Sequence, residues 1–191
     1  MADVVEEKEV SLIVEDGSCV PNANSYVSLD FADAYMRNTG RNAWLEKSDN
    51  ERKSYLINAT KYIDRTYSKI GWKGQKKFHR RQALCFPRVE LFDKDGDEVL
   101  GIPRELMEAV CEAGFISTST SLFDIKDASG TVKRQKVDVL EVEYYSESDS
   151  AGGYISRFTV LDSLLSDFYK KKGDGKRVKR AIHTDLLGGR I

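Results

Sequence analysis

The stretch that decides the fold is SDNERKSYLINATKYIDRTYSKI, residues 48–70. It opens on Ser48 with Glu51 three residues later, the spacing of a capping box, in which each side chain satisfies a backbone N–H that a helix start leaves unpaired. From there Tyr55, Leu56, Ala59, Tyr62, Ile63, Thr66, Tyr67 and Ile70 fall at helical spacing on one wide apolar and aromatic face. The spacing predicts a helix of about 33 Å at 1.5 Å per residue, the spine of a domain. Gly71 and Gly74 end it, and a basic segment rich in turn formers runs on to Pro87.

Upstream of the spine, residues 11–17 read as a short extended run closed by a turn at Asp16-Gly17, and Ser28 caps a helix near 28–38 with Leu29, Ala32, Tyr35 and Met36 on its apolar face. Downstream, Asp95-Gly96 marks a hairpin turn. Pro103 suits a first helical position, and Leu106, Met107, Val110, Ala113 and Phe115 line a helix near 103–117. Residues 118–136 are polar with few anchors. A strand is expected near 137–145, with a bulge hinted where the alternation changes phase at Val139-Leu140. Leu161, Leu164, Leu165 and Phe168 define a last helix near 159–169. The expected architecture is mainly α: a small helical-bundle domain over 1–169 with a minor β strand or hairpin element, followed by a basic extended C-terminal tail, 170–191.

With 191 residues and 40% hydrophobic content, the chain is long enough for one compact domain with a real core. The absence of a basic-then-apolar start or a long apolar run leads us to expect a soluble, non-secreted protein without a membrane partner. Three scattered cysteines, Cys19, Cys85 and Cys111, suggest neither a disulfide framework nor a thiol zinc site. Net charge is −1, but residues 170–191 carry eight Lys or Arg against two Asp, which is +6 and leaves −7 for the rest. Such a tail suits an anionic partner, nucleic acid or an acidic protein surface, or else simple solvation.

The chain shows no marker of catalysis. His79 and His183 stand apart from other ligand types, so no metal is expected. Asp93, Asp95 and Asp97 imitate a calcium loop, but the sixth and twelfth places hold Glu98 and Arg104 where Gly and Glu are needed. Gly173-Asp174-Gly175-Lys176 lacks the spacing of a phosphate loop. Neither a G-x-S-x-G elbow nor an H-E-x-x-H occurs. We therefore expect no catalytic residues, no cofactor and no enzyme.

One segment carries binding chemistry. Trp72-Lys73-Gly74-Gln75-Lys76-Lys77-Phe78-His79-Arg80-Arg81 interleaves aromatic rings with five positive charges. Single-stranded nucleic acid is held this way, bases stacking on rings while Lys and Arg neutralise phosphates. The plainer reading turns Trp72 and Phe78 into the core and leaves the charges in water. On the binding alternative, the site is Trp72, Lys73, Lys76, Lys77, Arg80 and Arg81.

A set of ordered pieces then resembles a known family. They are Ile13-Val14-Glu15-Asp16-Gly17, Val20-Pro21-Asn22-Ala23-Asn24-Ser25-Tyr26-Val27-Ser28, Ala32-Asp33-Ala34-Tyr35, Ala59-Thr60-Lys61-Tyr62-Ile63-Asp64, Trp72-Lys73-Gly74, Gln82-Ala83-Leu84-Cys85-Phe86-Pro87-Arg88, Asp95-Gly96 and Ile102-Pro103. In order and spacing they resemble the DnaT-like single-stranded-DNA-binding proteins of phages, small proteins found among head-to-tail connector genes. Phe86 stands where that family usually has Trp.

Read through those gene neighbours, the resemblance implies a virion protein at the head-tail junction, made in the host cytoplasm. It would be an adaptor that assembles with copies of itself as a twelve-fold ring on the portal protein and joins a downstream tail or nozzle protein. Passing genomic DNA would be touched at most nonspecifically. The portal would be gripped by Lys176, Arg177, Lys179 and Arg180 with apolar anchors Ile182, Leu186, Leu187 and Ile191. The alternative is a single-stranded-DNA-binding replication accessory.

Overall fold

The computed structural model describes residues 9–123, 132–136, 141–144 and 158–170. The protein is mainly α with minor β. Its helices are α1, Leu29–Asn38; α2, Asn42–Leu45; α3, Asp49–Ile70; α4, Arg104–Ser117; and α5, Thr159–Leu165. Two antiparallel pairs of strands complete it: β1, Gln75–Lys76, with β2, Arg88–Val89, and β3, Val132–Lys136, with β4, Glu141–Tyr144.

Helix α3 is the expected spine. Ser48 Oγ accepts from Glu51 N and the Glu51 carboxylate accepts from Ser48 N, so the capping box forms in full. Leu56, Ala59, Ile63 and Tyr67 are buried on its inner face. Helix α4 packs between α3 and α5. The approach to α3 is close because Gly114 has no side chain: a Cβ there would lie 3.4 Å from Leu56 Cδ2 and 3.5 Å from Trp44 Cζ3. Complete burial of a large apolar side chain contributes about 1.5–3 kcal/mol, so Trp44, Tyr67, Leu56, Leu106 and Leu161 together form the energetic centre.

The buried carboxylates of Asp33 and Glu112 on the α1 side are paired, as their desolvation requires. Asp33 accepts from Trp44 Nε1 at 2.8 Å and from Arg52 Nη1 at 2.6 Å. Glu112 of α4 accepts from the Tyr35 hydroxyl at 2.6 Å and pairs with Arg41.

Several boundaries differ from the sequence expectation. Short helix α2, which buries Trp44, has too few residues to show a periodicity. Pro103 caps α4 from outside, its carbonyl accepting from Leu106 N and Met107 N. The expected strand near 137–145 is half of a hairpin. Its observed part is Glu141–Tyr144, and its partner Val132–Lys136 lies in a stretch too polar to display alternation. Val139-Leu140 lies outside the described residues; the irregular register falls between Val132 and Arg134. Helix α5 stops at Leu165, short of 169, because the chain turns back there. Lys73 N donates to Phe168 O, and Lys170 N to Gly71 O, at 2.8 and 2.9 Å. That pairing ties the end of α5 to the start of the basic segment. The expected C-terminal tail lies outside the described residues beyond Lys170.

Candidate nucleic-acid interface

The basic segment leaves α3 at Gly71 and returns to the body at Arg88. From Arg65 to Val89, both included, the chain carries eight Lys or Arg and no Asp or Glu. A loop so charged needs firm anchoring if it is to present a shaped surface, and three devices supply it.

The first is Arg88, whose guanidinium donates to the carbonyls of Lys73, Gly74 and Cys85 at 2.6, 2.8 and 3.1 Å. One side chain thereby holds both arms of the loop. The second is Gln82, 4% exposed. Its amide nitrogen donates to Leu84 O and Pro87 O at 3.1 and 3.0 Å, while its amide oxygen accepts from Phe78 N at 3.3 Å. The third is Gly74, at φ +63°, where a Cβ would stand 2.5 Å from Val89 O. Only glycine lets β1 and β2 come together there.

Below the loop lies a polar hub. The Tyr26 hydroxyl donates to Asp64 Oδ1 and accepts from Cys85 N and Phe86 N. Asp64 Oδ2 also accepts from Cys85 N at 3.0 Å. Burial pushes the Asp64 carboxyl up from its ordinary range, opposed by the hydrogen bonds from Tyr26 and Cys85 and by the charge of Lys76. Burial also raises the Cys85 thiol, reinforced by the Asp64 charge. Cys85 is thus a protonated structural side chain.

The two aromatic residues of the segment part company. Trp72 is 6% exposed and packs edge-on to Phe86, centroids 5.0 Å apart, with Tyr67 at 5.5 Å on another side. It belongs to the core and offers no face to a base. Phe78 is 52% exposed, just before the 3-10 turn His79–Arg81. The plainer reading, which sent both rings inward, therefore holds for Trp72 alone.

Lys77, Arg80 and Arg81 are exposed, and Lys73 and Lys76 half-buried. Among the described residues none of the five forms an ion pair. Lys77 Nζ reaches only the Gly17 carbonyl, at 3.4 Å. The result is an exposed ring flanked on both sides by cations, on a loop whose backbone is pinned from beneath. Sequence reasoning named the cations and took Trp72 as the candidate stacking ring; the structure buries Trp72 and leaves Phe78 exposed. Phe78 was legible as an aromatic within the charges, and only packing could tell it from Trp72.

Among the described residues no group of acidic, His or Cys side chains could hold a metal, and no helix is long and apolar enough to cross a membrane. The Asp95-Gly96 turn forms as expected, with Asp93 Oδ1 accepting from Asp95 N and Asp97 N, both at 2.9 Å. The Asp93 carboxylate serves the turn.

The sequence model of the family described as "Putative DnaT-like ssDNA binding protein" matches residues 10–182. No curated protein and no solved structure matches the chain. The family finding overturns the head-to-tail connector, its portal, ring and tail-protein partners, and its place in the virion. Those expectations were drawn from the gene neighbours of such proteins. The residues behind the resemblance build the fold: Ser28 caps α1, Tyr26 is the hub, and Gln82 and Arg88 pin the loop. Lys176, Arg177, Lys179, Arg180, Ile182, Leu186, Leu187 and Ile191, assigned to portal docking, lie outside the described residues. Matched from residue 10 to residue 182, the chain belongs to the DnaT-like family.

Proposed function

We propose that this protein binds single-stranded DNA on the pinned basic loop. Lys73, Lys76, Lys77, Arg80 and Arg81 would meet phosphates, and Phe78 would stack on a base. The observation that carries this reading is the exposure of Phe78 between cations that have no acidic partner among the described residues. The family's name, which specifies single-stranded DNA, supports it. The physical logic is complementary. Phosphate neutralisation supplies affinity without regard to sequence, and a ring on a narrow loop reaches bases that a duplex keeps stacked.

The test is fluorescence anisotropy of a labelled oligothymidylate across a salt series. Replacing Lys76, Lys77, Arg80 and Arg81 with Ala removes four cations. At about 0.7 per neutralised phosphate, the slope of log affinity against log salt should flatten by up to about 3. Phe78→Ala should weaken binding at least about fivefold, with the salt slope retained. A folded quadruple variant with unchanged affinity and slope would overturn the reading.

A further inference from the structure

Resting on that reading, we infer that the single strand does not stop at the loop but continues along the outer face of α3, over Lys61 and Arg65, to a second stacking position at Phe123. The loop and this face adjoin. The charge of Lys76 acts on Asp64 of α3, and Cys85 Sγ lies 3.2 Å from Ser68 Oγ one turn further on. Lys61, Arg65 and Ser68 are exposed, and their spacing of four and three residues sets them in one row along the helix. The row leads from the loop to Phe123.

Phe123, like Phe78, is an exposed ring close to a cation. It is 45% exposed and its ring is held edge-on by Tyr62, centroids 5.9 Å apart. The Arg65 guanidinium lies 5.8 Å from its centroid. An exposed ring supported at its edge and flanked by a cation is what a base needs for stacking beside a neutralised phosphate. The apolar core supplies the support, since Tyr62 is buried on α3. Two exposed rings, Phe78 beside the loop cations and Phe123 beside Arg65, make a track longer than one loop.

The experiment uses the full chain and the same labelled oligothymidylate. Phe123→Ala should weaken binding at least about fivefold, and Lys61→Ala with Arg65→Ala should flatten the salt slope by about 1.4. Ultraviolet cross-linking to a halogenated oligonucleotide, mapped by mass spectrometry, gives a second readout that needs no variant. It should label peptides containing both Phe78 and Phe123. Loss of binding in the Lys76, Lys77, Arg80 and Arg81 variant, with normal binding by the α3 and Phe123 variants and cross-links only at the loop, would overturn this inference and leave the proposed function standing. Normal binding by every variant would overturn both.

Discussion

The Tyr26 hydroxyl lies 2.7 Å from Asp64 Oδ1 and joins the segment before α1 to the middle of α3. The same oxygen accepts from Cys85 N at 2.9 Å and from Phe86 N at 3.1 Å, so one phenol fastens three stretches of chain. Tyr26→Phe should cost about 2–3 kcal/mol, because it orphans a buried N–H and takes a donor from a carboxylate while leaving the ring's packing on Phe86 intact. Urea unfolding of the two proteins measures it. A loss within about 0.5 kcal/mol would mean that water replaces the hydroxyl.

Gly74 separates steric from conformational cost. Gly74→Ala places a Cβ against the Val89 carbonyl at a positive φ, so the backbone of β2 must move. Gly96→Ala also meets a positive φ, +92°, but nothing lies within 4 Å of its Cβ. The second variant should lose about 1 kcal/mol and the first clearly more. DNA affinity should fall with Gly74→Ala alone, since Lys76 lies on β1, which is paired with the strand that moves.

The split between Trp72 and Phe78 has an optical consequence. Both tryptophans are buried, Trp44 fully and Trp72 at 6% exposure. Saturating oligothymidylate should therefore leave intrinsic tryptophan emission almost unchanged while anisotropy of the labelled DNA rises. Strong quenching would place a base on Trp72 and move the site. Trp72→Phe should lower stability and spare affinity, the reverse of Phe78→Ala.

Much of this architecture was legible beforehand, for reasons that differ by element. Helix α3 announced itself because its cap and its apolar face are both local patterns. The same holds for Ser28 before α1 and for the turn at Asp95-Gly96. What escaped were features set by distant partners. The end of α5 is fixed by pairing with Gly71 and Lys73, nearly a hundred residues away in sequence, and helix α2 exists to bury Trp44. At the site, charge was readable from composition. The inward turn of Trp72 depends on Phe86 and Tyr67 closing around it, which no spacing reveals.

Asp64 gives a pH dependence whose sign can be worked out. Its burial raises the folded-state value above the ordinary carboxylate value of 3.8, against the pull of Tyr26, Cys85 and Lys76. Between the unfolded and the folded value the native protein holds more protons than the unfolded chain, so this component of stability is complete below the unfolded value and is lost as pH rises through the folded one. Asp64→Asn cannot titrate and also turns an amide toward Cys85 N, so it should be less stable than the parent throughout. The gap between the two should be widest in acid and narrow as pH rises through the folded value. Paired urea midpoints from about pH 3 to 7 check this against the ordinary carboxylate range. A gap that widens with pH would show that the hydrogen bonds and Lys76 outweigh burial, making the ionised carboxylate the form the loop is built upon.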